Sequence, residues 1–217
     1  MNKKKIEILC YGDSNTWGYV PLSGDRYPKD VRWTGVLQNE LGEDCLIIED
    51  GVKGRSTDID DPRPERPGRN GKVSLNPSLK ENNPLDIVIL MLGTNDLKKI
   101  FNRTTDQIAE AVNGLIDIIK NNTIPNVFEK TVVLLISPPL VDEAGKEISE
   151  RYAGASVASK ELAKKYEKVA QESGCEFLDA ALYTNVGEDG VHLDANSHVA
   201  LGKAITDKVN IIREFNA

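Results

Sequence analysis

The chain has 217 residues, with 27 Lys and Arg against 34 Asp and Glu and a formal net charge of −7. That balance disfavours a nucleic-acid partner, because binding to a phosphate backbone is driven by Lys and Arg displacing counterions. A hydrophobic fraction of 40% and a charged fraction of 28% are those of an ordinary soluble protein, the length suits one domain over residues 1–217, and no run of about 18 apolar residues offers a membrane span.

Met1 to Lys5 is basic, but the apolar stretch after it is short, contains Glu7 and runs into Gly12-Asp13-Ser14. It reads as a first strand rather than a signal peptide, so a cytoplasmic location is expected. Continuous apolar runs then alternate with amphipathic segments. Ile6–Tyr11, Cys45–Ile48, Asp86–Leu92 and Thr131–Ile136 lack period-2 alternation, as expected of strands buried on both faces of a parallel sheet. Between them, Trp33, Val36, Leu37 and Leu41 mark a helix stripe. Ile108, Val112, Leu115 and Ile119 mark another, opened by a capping box at Thr104 and Gln107. Leu162, Tyr166 and Val169 form a third stripe, a short strand follows near Cys175–Leu178, and Leu201, Ile205, Val209 and Ile212 mark the last helix. The expected fold is a three-layer α/β/α sandwich on a flavodoxin-like parallel sheet of about five strands.

Two connections break the alternation. Residues 51–84 are rich in Pro, Gly and Arg and read as a long loop for binding or subunit contact, and 138–154 is the other segment long enough to overhang a cleft. Pro64-x-x-Pro67 is one weak match to a proline-recognition ligand. Cys10, Cys45 and Cys175 are odd in number, lack metal-ligand spacing and read as reduced, buried thiols.

Three short blocks carry the chemistry: Gly12-Asp13-Ser14, Gly93-Thr94-Asn95-Asp96 and Asp189-Gly190-Val191-His192. A serine hydroxyl is a poor nucleophile near neutral pH until an imidazole takes its proton, and that imidazole needs a carboxylate to fix its tautomer. The chain has 2 histidines, His192 and His198. Ser14, Gly54, Asn95, Asp189 and His192 each follow a predicted strand, so all lie at the carboxyl edge of the sheet, where open α/β sheets bind ligands.

The chain resembles the GDSL-type SGNH hydrolases over nearly its whole length. The family's four letters fall on Ser14, Gly54, Asn95 and His192, with Gly51 as a competitor to Gly54. Cys10 to Gly18, Arg32-Trp33-Thr34-Gly35 and Ile59-Asp60-Asp61-Pro62 are similar to a bacterial aryl esterase and acyltransferase branch. The resemblance implies a serine esterase acting on short-acyl esters of aryl, alkyl or carbohydrate alcohols, with acyl transfer as a companion activity. Lysophospholipase and thioesterase activities belong to the same family. It implies a homo-oligomer, a small-molecule ester as partner, and neither cofactor nor metal.

By the same likeness Ser14 is the nucleophile, His192 the base and then acid, and Asp189 the residue orienting the imidazole. The backbone N–H groups of Ser14 and Gly54 and the Asn95 amide form the oxyanion hole. Asn15, Trp17 and Val191 are expected to touch substrate, although Trp17 is equally placed as core. Asp13 supports the turn. His198 reads as a solvated or core-edge histidine and Asp194 as the N-cap of the last helix. Asp58, Asp60 and Asp61 read as a solvated loop rather than a metal site. A rival reading takes Ser14 to Gly18 as a phosphate-cradling loop of a flavin-binding module, which leaves Asn95, Asp189 and His192 without a role.

Overall fold

The computed structural model describes residues 4–145 and 150–216. The first three residues of the basic start and positions 146–149 of the 138–154 connection lie outside them. Five strands, β1 (Ile6–Gly12), β2 (Cys45–Gly51), β3 (Ile87–Met91), β4 (Val132–Ser137) and β5 (Glu176–Asp179), form one parallel sheet in the order β2-β1-β3-β4-β5. Parallel pairing requires crossovers, and helices supply them on both faces. Side chains alternate along each strand. Leu9, Tyr11, Val88, Leu90, Val133 and Leu135 face one layer, which holds α3 (Gly71–Asn82), α4 (Thr105–Asn122) and α5 (Ala155–Ser173). Ile8, Cys10, Ile87, Ile89, Leu134 and Ile136 face the other, built from α2 (Trp33–Leu41) and α6 (Ala195–Asn216).

The predicted strands and helix stripes are present, with strand ends shifted by at most three residues. The capping box forms as read: Thr104 Oγ1 accepts from the Gln107 N–H at 3.2 Å, and Gln107 Oε1 accepts from the Thr104 N–H at 2.9 Å. Three expectations need correction. Residues 51–84 are not all loop, since they contain α3. Its stripe is only Leu75 and Leu79, and Pro77 inside it has no N–H for the helix ladder, so neither periodicity nor propensity announces it. Tertiary contacts hold it: the Tyr11 hydroxyl donates to the Gly71 carbonyl at 2.6 Å, and Ser78 Oγ donates to Asp50 Oδ2 at 2.5 Å. Second, β2 lies at the sheet edge and is only half-buried beyond Cys45, so it is not covered on both faces. Third, Cys10 and Cys45 are buried and outside any disulfide, as expected, but Cys175 is half-exposed.

The register brings the site together. Gly12 pairs with Gly51 on one side and Met91 on the other, so β1, β2 and β3 end at one level. A Cβ at Gly12 would stand 2.0 Å from Thr16 Oγ1 and 2.9 Å from the Met91 carbonyl oxygen, so only glycine lets the chain turn sharply into the next segment.

Candidate active site

That segment is α1 (Ser14–Trp17), a single turn whose N-cap is Asp13. Asp13 Oδ1 accepts from the Asn15 N–H at 2.9 Å, which holds the turn and leaves Ser14 as its first residue. At the far end of the chain, Asp189 Oδ1 accepts from the N–H groups of Val191 and His192 at 3.0 and 2.9 Å. This Asx-type turn aims Asp189 Oδ2 at His192 Nδ1, 2.7 Å away, and places His192 Nε2 3.0 Å from Ser14 Oγ. Burial raises the Asp189 carboxyl, but its bond to the imidazole, the charge of that ring and the two backbone N–H groups outweigh burial and keep it below the ordinary range. An ionised carboxylate there fixes the Nδ1–H tautomer and leaves Nε2 placed to accept a proton from Ser14.

Asn95 opens a short 3-10 turn after β3 and lines the same cavity of about 370 Å³ as Ser14, Gly54, Val191 and His192. Its amide orientation is set on both sides: Nδ2 donates to the Arg55 carbonyl at 3.1 Å and to Asp13 Oδ2 at 3.2 Å, while Oδ1 accepts from Lys98 Nζ at 2.5 Å. Gly54 sits at φ +84°, where a side chain is strained, whereas a Cβ on its competitor Gly51 would stand 2.3 Å from the Trp17 backbone nitrogen. Gly54 is thus the glycine of the cavity, and Gly51 a packing glycine. Among the described residues no acceptor takes the backbone N–H of Ser14 or Gly54.

The supporting layer was not read from the sequence. Arg55, almost fully buried, donates to the carbonyls of Gly12 and Asp50 at 2.9 and 2.6 Å and lies 3.9 Å over the Tyr11 ring, tying the ends of β1 and β2. Asp96 accepts from the Thr57 N–H at 3.0 Å and Thr57 Oγ1 at 2.5 Å and pairs with Arg103 at 3.1 Å, so the Asn95 turn is fastened to the Gly54 loop. Burial lifts the Asp96 carboxyl to about 6, against the lowering by Thr57 and Arg103. Tyr19 was also missed: its ring stacks on His192 with centroids 4.0 Å apart.

Several assigned residues stand elsewhere. Asn15 is buried and does not face the cavity. Its Nδ2 donates to the Val191 carbonyl at 3.3 Å and its Oδ1 accepts from the Leu193 N–H at 2.9 Å, clasping the histidine loop to the serine turn. Trp17 stands off the cavity wall, half-buried, with Lys53 Nζ 4.6 Å over its ring. Val191 does line the cavity. His198 is not solvated but fully buried; its Nδ1 accepts from the Trp33 N–H at 3.4 Å, and burial lowers its pKa to about 4. Asp194 caps α6 as expected, accepting from the Ser197 N–H at 2.7 Å. Asp58 and Asp61 are not free in solvent: Asp58 pairs with Arg103 at 2.6 Å, and the buried Asp61 carboxylate pairs with Arg63 at 2.5 Å. Among the described residues no group of three or more His, Cys, Asp or Glu is placed to hold a metal ion. Asn15 and Thr16 turn inward and offer no phosphate cradle, which removes the ground for a flavin-binding module.

Residues 10–200 match the GDSL-like Lipase/Acylhydrolase family. A carbohydrate acetylesterase from Sinorhizobium meliloti superposes with a TM-score of 0.89 at 36% identity, covering 96% of this chain and 100% of that one. An aryl esterase from M. smegmatis gives 0.87 at 37% identity, covering 95% and 99%. A lipolytic G-D-S-L family member from Veillonella parvula, at 17% identity over 93% of this chain and 97% of that one, shares the fold with a TM-score of 0.67. A search of curated proteins gives no match. The chain therefore belongs to the GDSL-like lipase/acylhydrolase family and is a carboxylic ester hydrolase.

Proposed function

We propose that the chain is one catalytic unit that cleaves short-acyl esters through an acyl-serine intermediate on Ser14. The observation that carries this reading is the unbroken line Ser14 Oγ, His192 Nε2, His192 Nδ1, Asp189 Oδ2, with links of 3.0 and 2.7 Å. Ser14 Oγ attacks the ester carbonyl as His192 Nε2 takes its proton. The tetrahedral oxyanion is held by the N–H groups of Ser14 and Gly54 and by the Asn95 amide, which shares or releases one of its two long bonds to do so. The Lys98 ammonium on the amide oxygen makes that N–H a stronger donor. The imidazolium returns the proton to the leaving alcohol. Water then attacks the acyl group, giving its proton to His192, and the acid departs as Ser14 recovers its hydrogen. An alcohol in place of water gives acyl transfer.

The small cavity supports short acyl groups, and the two neighbours named above act on aryl and carbohydrate esters. No helix among the described residues is long and apolar enough to cross a membrane. That no disulfide forms among the described residues supports a cytoplasmic setting, and the likeness to the aryl esterase branch supports a homo-oligomer. A chain-length series of 4-nitrophenyl esters with native protein and Ser14→Ala tests the reading. Hydrolysis falling with acyl length and lost in the variant is expected, whereas activity that survives Ser14→Ala removes the mechanism.

A further inference from the structure

The protein is acidic overall, yet the wall of its catalytic cavity is basic. Lys53, Arg66, Arg69, Lys98 and Arg151 line it, and among the described residues no Asp or Glu does. Four carboxylates beside the site are already engaged: Asp13 with Asn15 and Asn95, Asp189 with His192, Asp61 with Arg63 and Asp96 with Arg103. Among the described residues no carboxylate forms an ion pair with Lys53, Arg66, Arg69 or Lys98. Arg66 Nη1 lies 3.0 Å from the point a Gly54 Cβ would occupy, with Arg69 Cδ at 3.7 Å, so both side chains stand against Gly54 in the cavity that Ser14 and His192 also line. Arg69 Nε is buried without a hydrogen-bond partner. Lys98 is almost entirely buried, and burial followed by repulsion from Arg63 and Arg66 lowers its pKa to about 8. An adjoining groove shares Lys98 and Arg151 and adds Arg63 and Lys99, with Glu150 as its one carboxylate among the described residues.

Cations held this close repel one another and cost stability unless function retains them, and clefts lined by one sign of charge concentrate ligands of the opposite sign. We propose that the substrate of this site is an ester that carries its own anion, a carboxylate or phosphate, held by Arg66, Arg69 and Lys98 while Ser14 attacks the ester carbonyl. The inference rests on the serine esterase reading and adds the substrate's charge. Guanidinium groups suit such a ligand because their planar forks bind carboxylate and phosphate oxygens in pairs.

The test compares matched pairs of esters at low ionic strength. In one pair the charge is on the acyl part: mono-4-nitrophenyl glutarate against its neutral methyl ester. In the other it is on the alcohol: an O-acetylated sugar phosphate against the acetylated neutral sugar. The native enzyme is expected to favour the anionic member of at least one pair by about tenfold or more in kcat/KM. Salt should erode that preference, and the pair showing it tells which part of the substrate carries the charge. Arg66→Gln combined with Arg69→Gln should shrink the ratio, which is read against the salt dependence of the native enzyme should the double variant fold poorly. Equal or better turnover of the neutral member in both pairs, with Ser14→Ala inactive, overturns the anion while leaving the esterase standing. No hydrolysis of any of the four esters by native protein overturns both.

Discussion

Each of the three blocks works through bonds that its residue types make local. Asp189 serves both its own turn and the imidazole, so Asp189→Asn should preserve the fold and lower kcat by roughly 10⁴, because the wrong tautomer then faces Ser14. Asp194→Ala, at the N-cap of α6, should instead cost about 1 kcal/mol of stability through its lost bond to the Ser197 N–H and leave kcat nearly unchanged. An exchange of the two results, read by kinetics and thermal melts, would reassign the acid. Asn95→Ala should lower kcat by about 10²–10³ with KM little changed, since its bond matters mainly in the transition state. Tyr19→Ala should cost between about 10- and 100-fold in kcat by loosening the imidazole, and Tyr19→Phe should restore most of it, because stacking needs the ring and not the hydroxyl.

At the scale of elements, long helices and buried strands announce themselves, while short or interrupted ones do not. The stripe Ile108, Val112, Leu115, Ile119 with its capping box could only be a helix, but α3 shows just Leu75 and Leu79 around Pro77. Which way α1 presents its four residues was equally illegible. Asn15 and Trp17 both follow Ser14 in sequence, yet one turns into the protein and the other away from the cavity, because a single turn offers no periodicity to read. Pro77 is solvent-exposed, and Pro77→Ala should restore a ladder bond and stabilise the protein by about 1–3 kcal/mol in denaturant unfolding. No gain would mean that the helix is already distorted to suit proline.

His198 belongs to the packing between α2 and α6 and sets a pH dependence. Its folded pKa of about 4 lies below the ordinary value of 6.5, so between these values the unfolded chain binds more protons than the native one. Its contribution is complete above about 6.5 and is lost as pH falls toward 4. Asp96, raised to about 6, acts in the opposite sense, so the comparison needed is native protein against His198→Gln. The stability difference between them should shift by up to about 3 kcal/mol from pH 7 to pH 4, with the native protein losing more. A pH-independent difference would place the ring in contact with water.

For the whole molecule, the catalytic blocks were legible because each chemistry-bearing residue follows a strand, and parallel strands deliver their carboxyl ends to one edge. The basic wall was not legible, because Lys53, Arg66, Arg69, Lys98 and Arg151 come from separate loops whose meeting is decided by tertiary structure. The same holds for Arg55 and the Asp96–Thr57 link, which fix the distances on which the chemistry depends. The most direct test of the central claim is covalent: incubate native protein with a short-chain organophosphonate, measure the intact mass and map the adduct by peptide sequencing. One adduct per chain, on Ser14, formed in step with loss of esterase activity and absent in Ser14→Ala, is the predicted result. Modification at another residue, or full inactivation without an adduct on Ser14, would contradict it.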